Sequence, residues 1–257
     1  MLKVITLNLN GIRSAARKGF FEWLQEQQAD VICVQELKAQ AADLKNLSPL
    51  QEYHAYFHYA EQKGYSGVGI YSRYPAKHVM TGLGWGVADQ EGRYVAIDLG
   101  GLWIASIYMP SGTSGDHRQQ IKYDFLDRYS RYLKKLAMPH IICGDFNIAH
   151  QPIDLKNWRA NQKHSGFLPE ERQWMDKLFD ELGFIDAFRL VNQEADQYTW
   201  WSHRGRAWEK NVGWRIDYHL ITPGLKLTVK SAFIYKNQRF SDHAPLGMEY
   251  DIIKSNF

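Results

Sequence analysis

The chain has 257 residues, 45% hydrophobic and 14% aromatic, enough for a substantial core in one large or two small domains. Its net charge of +3 permits a polyanionic partner without demanding one, and no run of about 18 apolar residues exists to span a membrane. The N-terminus lacks the basic-then-apolar pattern of a secretory signal, which gives the expectation of a cytoplasmic protein; Cys33 and Cys143, each inside an apolar run, are expected as buried reduced thiols rather than a disulfide or zinc ligands.

Apolar periodicity predicts a strand at Leu2 to Asn8, a helix near Gly19 to Gln27 and a strand at Val31 to Glu36. Further strands are read at His54 to Ala60, Val68 to Ser72, His78 to Leu83, Tyr94 to Leu99 and Trp103 to Tyr108. A helix from about Gly115 to Lys135 carries Ile121, Phe125, Leu126, Tyr129, Tyr132 and Leu133 at helical spacing, and a strand follows at His140 to Cys143. A polar stretch from His150 to His164 leads to a helix beginning at Pro169, whose first turn suits Glu170 and Glu171. Strands return at Arg215 to Ile221, Thr228 to Tyr235 and Pro245 to Tyr250. With no low-complexity run or linker, residues 1–257 read as a single α/β domain of two packed sheets with helices outside.

Polar residues recur where these strands begin or end. Glu36, Tyr108, Asp145 and Asn147 follow their strands, whereas Asp242 and His243 precede theirs and Asp217 sits near the start of its own. If arriving and departing strands run antiparallel, all of them lie on one sheet edge. Glu36, Asp145, Asp217 and Asp242 with Asn8, Asn10 and Asn147 form an oxygen-rich, cysteine-free set that suits a hard divalent cation, Mg²⁺ or Mn²⁺. Such a cation polarises a phosphoryl oxygen, and a histidine such as His243, oriented by a carboxylate such as Asp217, stabilises charge developing on the phosphate. Metal-assisted phosphodiester hydrolysis is the reaction these groups suit. Taken singly, an Asp or Asn after a strand is usually a turn former, and Tyr108 alone is an aromatic at a strand end. The joint occurrence argues for a site.

A second constellation is basic and aromatic. Lys156, Arg159 and Lys163 lie among Asn157, Trp158, Asn161 and His164, and the segment Trp200-Trp201 to Asp217 adds Arg204, Arg206, Lys210, Trp214 and Arg215. Interleaved cations, amides and aromatics suit a phosphate backbone and stacked sugars or bases, although tryptophans are commonly core and Lys or Arg ordinary surface.

The motifs Thr6-Leu7-Asn8-Leu9-Asn10-Gly11, Cys33-Val34-Gln35-Glu36, Gly144-Asp145-Phe146-Asn147, Gly213-Trp214-Arg215-Ile216-Asp217 and Ser241-Asp242-His243, in that order, span nearly the whole chain. They resemble the exonuclease III and apurinic/apyrimidinic endonuclease group of the endonuclease, exonuclease and phosphatase superfamily. The resemblance implies a four-layer α/β sandwich, two packed mixed sheets flanked by helices, a divalent metal, and cleavage of double-stranded DNA 5′ to abasic sites with 3′-end trimming. It implies metal ligation by Glu36 with Asn8, Asn10 and Asp242, water activation or orientation by Asp145 with Asn147, phosphate contact by Tyr108 and His243, and orientation of His243 by Asp217. Trp200, Trp214 and Ile216 match the family's pocket for an extrahelical abasic sugar. Arg73, Asn161 and Lys163 are implied as phosphate contacts. A monomer is expected.

Two residues depart from that pattern: Ser111 and His164 stand where many relatives carry an amide. The chain also resembles the catabolite repression control proteins, translational regulators that act with an RNA-binding partner, through Asn157-Trp158-Arg159, Asp196-Gln197 with Trp200-Trp201, and Thr222-Pro223-Gly224-Leu225. The regulatory alternative implies RNA or an RNA-binding protein as partner. The presence of Glu36, Asp145, Asn147, Asp217, Asp242 and His243 together favours the enzyme, and the Trp-rich pocket favours DNA over a phosphatase or phospholipase substrate.

Overall fold

Short runs rich in β-branched and aromatic residues, bounded by polar ones, become the strands of a computed structural model that describes residues 1–44, 47, 50–254 and 257. In chain order they are β1 (Leu2–Asn8), β2 (Val31–Gln35), β3 (His54–His58), β4 (Val68–Ser72), β5 (His78–Thr81), β6 (Tyr94–Asp98), β7 (Trp103–Tyr108), β8 (His140–Asp145), β9 (Ile185–Asp186), β10 (Asp217–Ile221), β11 (Val229–Ile234) and β12 (Leu246–Tyr250). The α-helices are α1 (Ile12–Arg17), α2 (Phe20–Gln27), α3 (Ala41–Leu44), α4 (Gly86–Gln90), α5 (Asp116–Leu133), α6 (Trp158–Asn161), α7 (Pro169–Asp180) and α8 (Ala187–Val191). The short helices and β9 escaped the sequence reading because fewer than two turns, or two paired residues, leave no period to detect. Among the described residues no helix is long and apolar enough to cross a membrane.

The strands form two six-stranded sheets, ordered β11-β12-β1-β2-β4-β3 and β5-β6-β7-β8-β10-β9. Each is mixed: β1 and β2 are parallel at the centre of one, β7 and β8 at the centre of the other, and the remaining pairs are antiparallel. Alternating side chains of both sheets meet in an inner core that includes Val4, Cys33, Ile70, Ile97, Ile104, Ile141 and Met248. The outer face of the first sheet packs against α1 and α2 through Ile12, Phe20, Phe21 and Leu24. The outer face of the second packs against α5 and α7 through Phe125, Tyr129, Trp174 and Leu178. The result is helix, sheet, sheet, helix, the four-layer sandwich that the resemblance implies. Both cysteines are free and buried.

Near one edge the inner core turns polar. The Gln35 side-chain amide donates to Thr6 Oγ1 at 3.0 Å and to Ser106 Oγ at 2.9 Å, and the Ser106 hydroxyl donates to the Val34 carbonyl at 3.0 Å. These buried bonds join the two sheets directly beneath the residues that end β1, β2, β7 and β8.

Close approach of β7 and β8 sets a sharp demand at Gly144. Its φ is +146°, and a Cβ there would lie 1.9 Å from the Ile107 carbonyl oxygen. A backbone atom cannot rotate aside, so Gly144→Ala is expected to destabilise the fold by about 3 kcal/mol, read as a lower urea midpoint with an unchanged slope.

Candidate active site

Strand register brings the polar ends together. Tyr108 is paired with Asp145, and Asp145 with Asp217, so three adjacent strands of one sheet end on a single row. In the other sheet Asn8 is paired with Gln35, placing Glu36 just beyond, and β12 runs antiparallel to β1, which returns Asp242 and His243 to the same edge. They surround a cavity of about 430 Å³ lined by Glu36, Tyr108, Asp145, Asn147, Asp242 and His243, and on its other side by Ser111, Thr113, His164, Ser165, Gly166, Trp200, Trp214 and Ile216. Glu36 and Asn147 have φ of +50° and +52°. Left-handed backbone costs a non-glycine residue about 1–2 kcal/mol, and here it turns each chain off its strand into the cavity wall.

Asn8 links the two sheets' acids. Its Nδ2 donates to Glu36 Oε1 and to Asp145 Oδ2, both at 2.9 Å, while its Oδ1 accepts the Asn10 backbone N–H at 2.9 Å. With the oxygen committed to a backbone donor and the nitrogen facing two carboxylates, no other amide orientation avoids acceptor against acceptor. In this arrangement Asn8 is an orienting donor between the two carboxylates.

His243 is sheltered and paired. Its Nδ1–H donates to Asp217 Oδ2 at 2.8 Å, and its Nε2 lies 3.8 Å from Asp145 Oδ2. Burial opposes its charge, but Asp217, with help from Asp145 and Asp242, overrides this and raises its pKa to about 10, so it is an imidazolium at neutral pH. Asp145 is the converse case. Burial, aided by the Asp217 charge and opposed by His243, the Asn147 N–H and the Asn8 amide, raises its pKa to about 7. The Asn147 backbone N–H donates to Asp145 Oδ1 at 2.8 Å. Burial works against the charge on Asp242, yet His243, Asn10 and Trp200 hold its pKa below the usual value. The Tyr108 phenol bonds Glu36, and burial with that negative neighbour pushes its pKa well up, against the pull of Arg93. Arg93 lies 4.6 Å over the Tyr108 ring and donates to its carbonyl at 2.8 Å.

Two groups of side chains suit a metal. Asp145, Asp217 and His243 offer ligand atoms within 4.8 Å of one another, but the His243–Asp217 bond already occupies two of the three. Glu36, Asn10 and Asp242 form the second group, on the rim. Lys38 Nζ lies 2.8 Å from Glu36 Oε2 and 2.5 Å from Asn10 Oδ1, and Asn10 Nδ2 donates to Asp242 Oδ1 at 2.9 Å. Glu36 Oε2 and Asn10 Oδ1, already gathered around an ammonium, are hard oxygen donors of the kind a divalent cation accepts, and Asp242 adjoins them through its bond to Asn10.

The apolar side of the cavity is tied to the polar side. Trp200 forms backbone bridges with both Trp214 and His243, and its Nε1 donates to Asp242 Oδ2 at 3.1 Å. Trp214 meets Trp200 edge to face with centroids 6.3 Å apart. Beneath them the buried Arg215 donates to Asp154 at 2.8 Å and Asp186 at 2.6 Å, anchoring the residue between Trp214 and Ile216.

Three expected phosphate contacts fare differently. Asn161 and Lys163 lie in the segment that brings His164 to the cavity, but neither lines it. Arg73 is misplaced: it follows β4, which is antiparallel to β2 with Ser72 opposite Val31, so Arg73 stands at the far edge of the sheet, stacked on Tyr53 with its Nε 3.1 Å from that hydroxyl. This corrects its assignment to the site. Ser111 and His164, the two departures, do line the cavity, and Ser111 Oγ bonds Thr113 Oγ1 at 3.0 Å. Lys38 and Arg93 were missed by the sequence reading. Lys38, two residues beyond Glu36 in the same turn, carried a local signal; Arg93 reaches Tyr108 only through the pairing of β6 with β7.

Comparisons with known proteins bear on the family and the fold. The profile of the Endonuclease/Exonuclease/phosphatase family matches residues 5–243. An exodeoxyribonuclease of Bacillus subtilis is 38% identical over 255 residues, covering 98% of this chain and all (100%) of the relative. A DNA-(apurinic or apyrimidinic site) endonuclease of Dictyostelium discoideum is 35% identical over 98% of this chain and 71% of its own. Among solved structures, an AP endonuclease from Archaeoglobus fulgidus superposes with a TM-score of 0.87 at 30% identity, covering 98% of this chain and 100% of that one. A 3′ phosphatase from Neisseria, bound to a product DNA hairpin, superposes with a TM-score of 0.87 at 25% identity over 98% of this chain and 100% of that one.

The raised pKa of His243 predicts a pH signature. A group whose folded pKa of about 10 exceeds its ordinary 6.5 contributes stability that is complete below pH 6.5 and is lost as pH rises through 10. In metal-free protein, urea unfolding should show stability falling between pH 7 and 10. That fall should be clearly smaller in Asp217→Asn, which removes the main partner; equal slopes would mean Asp217 does not hold the charge.

Proposed function

The chain belongs to the endonuclease/exonuclease/phosphatase family, and from that membership and the geometry of its cavity we propose that it hydrolyses DNA 5′ to abasic sites and trims 3′ ends, with Mg²⁺ or Mn²⁺ as cofactor. It is a phosphodiester hydrolase and a DNA repair nuclease, with DNA as substrate, and the family is divalent-metal-dependent. The observation that carries the finer reading is the pairing of one buried imidazolium and one buried carboxyl, His243 and Asp145, beside an apolar cavity walled by Trp200, Trp214 and Ile216. The relatives named as nucleases favour this reading over translational regulation.

The chain's own residues divide the work. Glu36 with Asn10 and Asp242 would hold a divalent ion, which when bound would supply Lewis-acid stabilisation of charge on a phosphate oxygen. Asp145, with its pKa near neutrality, orients a water and takes its proton as the oxygen attacks phosphorus, and the Asn147 N–H keeps Asp145 Oδ1 in place. His243 presents Nε2–H to a non-bridging phosphate oxygen while Asp217 keeps the imidazole charged and aimed. The bond from phosphorus to the 3′ oxygen breaks, and that oxygen takes up a proton from solvent to become a 3′ hydroxyl. Tyr108, held by Glu36 and Arg93, supports the phosphate or leaving group. A sugar without its base leaves the stack at lower cost than an intact nucleotide, and a cavity of about 430 Å³ with tryptophan walls suits it. Asn161 and Lys163 are backbone contacts flanking that pocket. One domain acting as a monomer is sufficient for these steps.

The test is cleavage of a duplex carrying one abasic-site analogue, with Mg²⁺ and with chelator. Metal-dependent cutting immediately 5′ to the lesion is expected, lowered about 10²-fold to 10⁴-fold in Asp145→Asn. Absence of cutting with both Mg²⁺ and Mn²⁺ would overturn the reading. Trp214→Ala should reduce abasic-site cleavage more than 3′-end trimming, and equal losses would remove the pocket from substrate selection.

A further inference from the structure

Lys122 stands on the apolar face of α5, in line with Phe125, Leu126, Tyr129 and Leu133. Its ammonium is fully enclosed and meets Glu171, equally enclosed in the first turn of α7, at 2.5 Å. Burial lowers the Lys122 pKa and the Glu171 charge resists the fall. A buried ion pair adds little net stability over an apolar pair of the same volume, because desolvation offsets most of the attraction. What distinguishes this pair is where its other bonds go.

Lys122 Nζ also donates to the Asn147 carbonyl at 2.8 Å. Asn147 in turn donates its N–H to Asp145 and its Nδ2 to the Met109 carbonyl, so the lysine holds, from its carbonyl side, the residue whose N–H positions Asp145. Glu171 Oε2 accepts the N–H groups of Gly166 at 2.6 Å and Leu168 at 3.0 Å, and its Oε1 accepts Ser165 Oγ at 3.3 Å and Gln119 Nε2 at 3.1 Å. Gly166 is where that turn touches the pocket: a Cβ there would lie 3.1 Å from the Trp214 ring, and its carbonyl accepts the Ala149 N–H at 2.8 Å. One partner therefore reaches the reacting side of the cavity and the other reaches the wall behind Trp214.

We propose that Lys122 and Glu171 are positioning residues of the nuclease, Lys122 holding Asn147 against Asp145 for the chemical step and Glu171 holding the 165–168 turn against Trp214 for selection of the abasic sugar. This rests on the nuclease reading of the same cavity. The two halves of one ion pair thus serve different kinetic parameters.

The experiment is steady-state cleavage of an abasic duplex by wild type, Lys122→Met, Glu171→Gln and the apolar pair Lys122→Met/Glu171→Met, with a thermal melt of each and anisotropy of abasic and intact duplexes in chelator. Lys122→Met should lower kcat by about 10-fold to 100-fold with KM nearly unchanged, the scale of a small misplacement of a reacting group. Glu171→Gln should mainly raise KM and weaken binding of the abasic duplex relative to the intact one. The apolar pair should recover the wild-type Tm yet keep both kinetic defects. Recovery of kcat and KM together with Tm would reduce the pair to a structural role, and wild-type kinetics in both single variants would overturn the proposal outright. An inert wild type would instead sink the nuclease reading itself, which separates the two failures.

Discussion

The site depends on one side-chain amide. Asn8 spans the seam between the sheets and gives one N–H to Glu36 and the other to Asp145. Two carboxylates brought from different sheets to the same seam would otherwise face each other across a medium that screens them poorly. The amide supplies a donor to each, and its oxygen is locked by the Asn10 backbone, so it has no freedom to turn away. Beneath it, the Gln35, Thr6 and Ser106 bonds keep the two sheets in fixed relation. The spacing of the acids is thereby set by the sandwich rather than by any loop.

Electrostatically the cavity holds two unlike carboxylates close together. Both are enclosed almost completely, but Asp217 has the imidazole in a direct bond, whereas Asp145 meets only the far nitrogen at 3.8 Å. Environment alone separates their roles, one orienting a cation and the other poised to accept a proton near neutrality. Lys38 and Lys122 flank this centre with an ammonium on each side, the first at the rim against Glu36 and Asn10, the second enclosed beneath Asn147. The acidic cluster is tolerable in a folded chain because cations are built in at both ends.

The pocket beside it is supported differently. Trp214 and Ile216 flank Arg215, whose guanidinium is buried between Asp154 and Asp186, with Arg189 also on Asp154. Burial opposes ionisation of Asp154, yet the two guanidiniums hold its pKa at about 2. Removing Arg215 would leave Asp186 without its guanidinium, a loss of about 3–5 kcal/mol. The apolar wall is thus fixed from behind by charge, while the polar wall is fixed by backbone register and the Asn8 bridge.

The strands and the single functional edge were legible in the sequence, because strand periodicity and the polar residues that cap it are local patterns. Glu36, Tyr108, Asp145, Asp217, Asp242 and His243 could be placed on one edge once each was assigned to the start or finish of its strand. Arg73, assigned to the site only through the family resemblance, shows what strand direction adds. It ends a strand as Glu36 does, but β4 runs against β2, and strand direction is fixed only by pairing partners far apart in the chain. The donor role of Asn8 and the reach of Arg93, Lys122 and Glu171 were likewise decided by tertiary structure. Each depends on which atoms meet across separate layers, and a one-dimensional pattern carries residue type and spacing but not the direction in which a polar atom finds its partner.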